Sequence, residues 1–203
     1  MSSTEKSIKR YNRIAKYFDS MEKPMGTSGF DQWRKELVQQ ATGKTLEVGV
    51  GTGKNLQYYS KDVDLTAIDF SKNMLDKARA KYNDDLLKLN FLEMDVQNMD
   101  FDDNSFDTVV TSCVFCSVPD PVKGLQEIKR VMKPGGQFIM LEHVRSSNRV
   151  LGLFMDLFNF IPLNIVGNNI NRRTAENLKK AGFTNTKETN LWMDIVKFFH
   201  VKN

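Results

Sequence analysis

Scarcities bound this 203-residue chain before any motif does. Its two cysteines, Cys113 and Cys116, are too few and too close together for a disulfide framework, so a cytoplasmic setting is expected. Its two histidines, His143 and His200, form no cluster with Cys or acids at zinc spacing, and no metal site is expected. There is no repeat, low-complexity tract or Gly/Ser linker, which predicts a single domain over 1–203. Nor is there a clean apolar run of the ~20 residues a spanning helix needs. The most apolar stretch, 150–167, is interrupted by Asp156, Asn159, Pro162 and Asn164. The amino terminus is basic but lacks an apolar segment behind it, so no secretory signal is expected. What is present, 40% hydrophobic residues and 14 Phe among 27% charged ones, describes a folded domain rather than a disordered chain. The formal net charge of +4 permits an anionic partner without demanding one.

Periodicity sets the order of elements. Ile8, Tyr11, Ala15 and Phe18 recur at helical spacing over 7–19, with Lys6, Lys9, Arg10, Arg13 and Lys16 on other faces, which predicts an amphipathic basic helix. Pro24, Gly26 and Gly29 mark 21–29 as a loop before a helix over 32–40. Short apolar runs at 45–50, 65–70, 89–94, 106–113 and 137–142 predict five strands, with helical patterns following the first two and another at 121–132. Ser71 is placed to cap the second of these helices, and Lys133-Pro-Gly-Gly136 to make a turn into the fifth strand. Alternating strands and helices imply an α/β fold: a Rossmann-like, mostly parallel sheet with helices on both faces. After a helix over 174–181 stopped by Gly182, two strands with no helix between them predict a carboxyl-terminal antiparallel hairpin and seven strands in all.

The densest chemical signal is Glu47-Val-Gly49-Val-Gly51-Thr-Gly53, a strand running into glycines that let backbone approach a ligand closely. Asp69 ends the next strand, where a carboxylate can accept both hydroxyls of a ribose. Taken alone this pair also suits NAD, but Lys54 stands where the dinucleotide fingerprint wants its third glycine, and the phosphate-loop pattern is absent. A plain tight turn is the competing reading of the glycines.

The ordered segments LEVGVGTGKN, LTAIDFSKNMLDKAR, LEMDVQNMDFDDNSFDTVV and MKPGG, over 45–142, resemble the motifs of class I S-adenosylmethionine (SAM) methyltransferases of the small-molecule, methyltransferase type 11 group. The resemblance implies SAM as cofactor. It implies that Gly49, Gly51 and Gly53 meet its amino-acid part, that Asp69 holds the ribose, and that Asp95 with Val96 meets the adenine. Glu47 would lie under the loop, and Asn55, Phe70, Met74, Ser112 and Cys113 would complete the cofactor site. The segment over 11–19 is similar to the amino-terminal lid of these enzymes, with Asn12 and Phe18 as departures, so 1–40 is expected to be a helical lid. Tyr11 or Tyr17 would cover the sulfonium with a ring face, against the alternative of core packing. Cys113-Val-Phe-Cys116 follows an apolar strand rather than opening a helix, which favours pocket packing over redox chemistry.

His143 ends the fifth strand, where such sheets place their ligand crevice, and its ordinary pKa of ~6.5 makes it a candidate general base, with a structural histidine as the alternative. The insertion over 150–172 offers an apolar surface, so Phe154 and Phe158 are expected at the acceptor and Arg172 at an anionic group on it, against the alternatives of an ordinary buried helix and a solvated helix start. LEHVRS with the later NRRT is similar to membrane-associated thiol methyltransferases and bacterial phospholipid N-methyltransferases. Quinone-ring C-methyltransferases share the glycine, DFSKNML and KPGG segments without their carboxyl-terminal patterns. The reading at this level is methyl transfer to a small apolar or lipid-like acceptor, thiol or amine favoured, with peripheral membrane contact through the basic helix held open. An RNA methyltransferase and a noncatalytic SAM-binding protein are the other classes. The first lacks an aromatic-basic RNA module and an amine-positioning motif in TSCVFCSVPD. Oligomeric state is not legible.

Overall fold

In the computed structural model, residues 2–25, 29–82 and 88–202 are described. Five strands run parallel: β1 (Lys44–Val48), β2 (Asp64–Asp69), β3 (Lys88–Glu93), β4 (Phe106–Ser112) and β5 (Met132–His143). Two more, β6 (Thr186–Trp192) and β7 (Val196–Lys202), form the carboxyl-terminal hairpin, and β7 pairs antiparallel with β5. The sheet order is β3-β2-β1-β4-β5-β7-β6. Strands covered on both faces read as continuous apolar runs, and Leu46, Val48, Leu65, Ala67, Ile68, Val109 and Val110 on the inner strands are all buried. The edge strands β3 and β6 are largely exposed and carry Lys88, Lys187 and Glu188, charges that discourage pairing with other chains.

Helices cover both faces. On one, α4 (Pro121–Val131) and α7 (Thr174–Lys180) bring Leu125, Ile128 and Leu178 onto Leu46, Phe138 and Met140. On the other, α2 (Asp31–Val38) and α3 (Lys72–Lys81) bring Leu37, Leu75 and Ala78 onto Leu65, Val110 and Ile139. Phe106, Phe115, Phe138 and Phe199 are fully buried, each worth roughly 1.5–3 kcal/mol of transfer free energy. Ser71 caps α3 by accepting the Met74 N–H, and Asp120 caps α4 by accepting the Lys123 N–H ahead of a first-turn proline.

Three local expectations are corrected. Helix α1 spans Ser3–Met25 and absorbs part of the loop expected at 21–29, because ion pairs from Glu22 to Lys54 and Arg34 hold its last turns. Gly26 of that expected loop lies outside the described residues. The helix expected after the glycine loop is only a 3-10 turn, Leu56–Tyr58. The Lys133–Gly136 turn is a bulge inside β5: Met132 pairs with Phe106 and Gln137 with Thr108, so four residues loop out. Gly136 is tightly enclosed there, since a Cβ would meet the Lys133 carbonyl oxygen at 2.9 Å. The insertion forms two helices, α5 (Arg149–Phe158) and α6 (Phe160–Ile165), with Asn148 capping the first by accepting the Val150 and Leu151 N–H groups. Among the described residues no helix is long and apolar enough to cross a membrane.

Candidate active site

The chain order reverses between β1 and β4, and the crevice at the carboxyl ends of strands on either side of such a reversal is the ligand site of open α/β sheets. Here that crevice is a cavity of about 340 Å³ lined by Tyr11, Gly49, Asp69, Met74, Cys113 and His143, among others. A smaller one of about 30 Å³, lined by Asp95, Val96 and Gln97, shares with it the walls Gly49, Asp69, Phe70, Val114 and Ser117. Apart from Glu47 and Gly53, the expected cofactor residues thus line one or both of two adjoining compartments, with Asp69 in the partition.

The glycines do different work. Gly49, at φ +70°, admits the loop after β4: a Cβ there would lie 2.5 Å from a Val114 methyl. Gly51 lines the large cavity, and its N–H donates to Asp69 Oδ2 at 2.9 Å. Gly53 does not line the cavity. A Cβ on it would meet Leu56 and Ala78 at 3.0–3.2 Å, so its place in the pattern follows from packing against α3 rather than from ligand approach.

Beneath the loop lie carboxylates with little access to water. Asp69 also accepts the Ser71 N–H at 2.8 Å, and burial pushes its pKa up to about 6 against those two stabilising bonds. Glu47 is buried under the loop and accepts from Asn55 Nδ2 at 2.8 Å; burial pushes it up to about 7. Glu142, not singled out as a site residue from sequence, accepts the Val114 and Phe115 N–H groups at 3.0 and 3.2 Å and so fixes the loop that walls the cavity. It too is raised to about 7 by burial. Cys113 and Cys116 are free thiols in the same wall, and burial pushes Cys116 up to about 12 and Cys113 well above its ordinary value. Both are neutral wall groups.

Helix α1 closes the top. The Tyr11 hydroxyl donates to Asn168 Oδ1 at 2.6 Å and is hydrogen-bonded to Ser117 Oγ, while its ring meets Phe70 edge-on. Burial raises this phenol far above its ordinary range, so it stays neutral. Tyr17 is 59% exposed and lines neither compartment. Asn12, a departure from the lid pattern, accepts from Ser71 Oγ at 2.7 Å and from the Asn73 N–H, tying the lid to the start of α3. Asp19 accepts from Thr52 Oγ1 at 2.6 Å and pairs with Lys81, while Glu22 pairs with Lys54. Sequence reasoning missed these latches because each joins residues more than 30 positions apart.

Residues 46–140 match the methyltransferase domain family model. A ubiquinone/menaquinone biosynthesis C-methyltransferase from Bdellovibrio bacteriovorus is 32% identical over 163 residues, 77% of this chain and 68% of that protein. The chain belongs to the class I SAM-dependent methyltransferases. A phosphatidylethanolamine N-methyltransferase from Cereibacter sphaeroides is 42% identical over 108 residues, 52% of this chain and 53% of that protein. Matches therefore span about half to two thirds of the length of these relatives. A SAM-dependent methyltransferase structure from Aquifex aeolicus shares the fold, with a TM-score of 0.69 at 19% identity, covering 93% of this chain and 97% of that one.

SAM is the cofactor of this methyltransferase, and the residues fit it. The cradle at Gly49 is one that a side chain would fill. Asn55 and Ser112 line the large cavity, and Asn55 Oδ1 and Ser112 Oγ are buried polar atoms without a protein hydrogen-bond partner, which leaves each free to meet a ligand. Asp95 accepts from the Gln97 N–H and side chain, which orients it in the small compartment. On the acceptor side the expectations divide. His143 lines the methyltransferase cavity, and burial lowers its pKa, keeping the imidazole neutral. Phe154 and Phe158 are placed elsewhere: they stack on each other at 4.3 Å between centroids on the outside of α5, and Phe154 is 56% exposed. Arg172 also turns away, donating through Nη2 to the Val118 carbonyl at 2.8 Å because that turn's carbonyls need partners. The insertion does reach the cavity, through Val166, Asn168, Asn169 and Ile170 near its end, residues of 150–172 that were not singled out individually from the sequence.

Proposed function

We propose that the protein transfers a methyl group from SAM to a small apolar or lipid-like acceptor that presents a thiol or amine, at or near a membrane surface. The observation that carries this reading is a neutral imidazole, His143, in a cavity walled by Phe18, Met21, Val166 and Ile170. SAM supplies an already activated methyl group, so the chain's task is to align, exclude water and manage one proton. Asp69, Asn55 and the glycine loop orient the cofactor. Tyr11 with Asn168 and Ser117 keeps the lid over it. In this reading His143, in the cavity wall, accepts the proton that a thiol or ammonium must give up before attack. Helices α5 and α6, with their apolar exterior, support lipid-like over ionic acceptors. The phosphatidylethanolamine N-methyltransferase relative supports an amine.

A second reading, methylation of a quinone ring carbon, is supported by the C-methyltransferase relative matched over 77% of this chain. The test is transfer of labelled methyl from SAM to an alkyl thiol, phosphatidylethanolamine vesicles and a demethylated quinone. Label in the thiol or the amine supports the first reading, and label in the quinone alone replaces it with the second. SAM binding without transfer to any of the three overturns both.

A further inference from the structure

Seven large apolar side chains of α5 and α6 face water, among them Val150 at 80% exposure, Leu153 at 67%, Leu157 at 66% and Ile165 at 61%. Contiguous apolar surface of this kind marks an interaction face. The only charged residue within 150–165 is Asp156, and the Arg145 guanidinium holds it through three hydrogen bonds of 2.8–3.1 Å. The face therefore offers a partner no free anion, and Arg149, the exposed first residue of α5, adds a cation at its edge.

Cations border it. The Arg10 guanidinium lies against Gly167, just beyond α6, so close that a Cβ there would be 2.9 Å from Nη1. Lys6, Arg10, Arg13 and Tyr17 recur at three- and four-residue intervals, which makes one stripe along α1, and Lys6, Arg13 and Tyr17 are exposed. The face is also joined to the cavity. Asn159, between α5 and α6, accepts the Ile170 N–H at 2.8 Å and donates to Asn169 Oδ1, and both Asn169 and Ile170 line the cavity.

We propose that the outer face of α5 and α6, with the α1 cation stripe beside it, docks on an anionic lipid bilayer. In that pose the Val166–Ile170 wall of the cavity faces the lipid, and an acceptor with an aliphatic tail reaches it without crossing water. An apolar face buried among acyl chains beside Lys and Arg at the headgroups is the arrangement that holds interfacial helices. This surface rests on the proposed lipid-like acceptor for its purpose. Its test uses neither SAM nor acceptor, so the two can fail separately.

Flotation of the full-length protein with vesicles of phosphatidylcholine and phosphatidylglycerol should carry it to the lipid layer, and vesicles of phosphatidylcholine alone should carry much less. Leu153→Asp with Leu157→Asp should abolish flotation. Lys6→Gln with Arg13→Gln should weaken it by about fivefold per cation removed. Circular dichroism checks that the variants are folded, and both pairs of sites are exposed. The proposal is overturned if the wild-type protein does not float, or if the folded Asp variant floats equally well. It is also overturned if sedimentation shows a wild-type dimer that the Asp variant dissolves and flotation is absent, which would assign the face to a second copy of the chain.

Discussion

On the cofactor side of the cavity, Glu47, Asp69 and Ser71 are buried and fastened to backbone or side chains at 2.7–2.9 Å. On the acceptor side, α5 and α6 leave Val150, Leu153 and Leu157 in water, and Asn159 anchors them to the cavity wall. An invariable ligand rewards fixed polar partners, since a misplaced buried carboxylate is costly. An acceptor with an apolar body needs only shape and a dry wall. If that contrast is right, changes on the first side should act through SAM affinity and pH, while changes on the second should leave both alone.

The largest effect is expected from Gly49→Ala. The left-handed backbone alone costs a side chain roughly 1–2 kcal/mol, and the new Cβ would push Val114 away from the cavity rim. SAM affinity should fall by at least about tenfold by calorimetry, and unchanged affinity would refute the cradle assignment. Asp69→Asn comes next. It retains shape but turns an amide N–H₂ toward the Gly51 or Ser71 N–H, leaving a buried donor unsatisfied at about 1–3 kcal/mol. A matching loss of SAM affinity is expected.

The same carboxylates give a pH signature. Glu47, Asp69 and Glu142 hold protons up to about 7, 6 and 7 in the fold, above the values of about 4 they take when unfolded. Between those limits the folded chain binds more protons than the unfolded one. Their contribution to stability is therefore full at the acid end and lost as pH rises through 6 to 7. Asp194, held low by hydrogen bonds from Ser147 and Ser146, has the opposite sign: its contribution is full above about 4 and is lost as pH falls below that. Without SAM, the melting temperature should drop between pH 5.5 and 8. Saturating SAM, which brings positive charge to the cavity, should raise it more at pH 8. A flat profile would show that these carboxylates are better solvated than their burial implies.

The contrast also explains what could be read from the chain. The sheet, the hairpin and the Ser71 cap follow from local patterning, and Asp69 and Asp95 stand at or just beyond strand ends, where the parallel order opens its crevice. Gly53 was legible as a glycine but not in its role, because glycine spacing does not distinguish ligand approach from packing on α3. Phe154 and Phe158 were expected inside on hydrophobicity alone, and one residue period on a helix decides between cavity and exterior. The lid latches Asn12–Ser71 and Asp19–Thr52, and the Tyr11–Asn168 bond, depend on separations of 33 to 157 residues that no local pattern encodes.

Tyr11→Phe probes the seam between the two sides. It keeps the ring against Phe70 and removes the hydroxyl shared with Ser117 and Asn168, leaving Asn168 Oδ1 with only the Ser117 hydroxyl as donor. A net loss of about 1 kcal/mol from lid closure is expected. It should appear as a several-fold rise in KM for the acceptor, with a smaller change in SAM affinity. Equal loss of both would mean that the lid belongs wholly to the cofactor side.

Phe154→Ala should do least to the cavity. The residue is more than half exposed, so truncation removes the stack on Phe158, worth about 0.5–1.5 kcal/mol at most, and little buried area. SAM affinity should be unchanged, and so should KM for a short, water-soluble thiol that never meets the exterior of α5. A tenfold rise in that KM would place the ring inside the acceptor site after all. It would also show that α5 moves inward when the acceptor binds, because the ring can reach the cavity only by leaving Phe158.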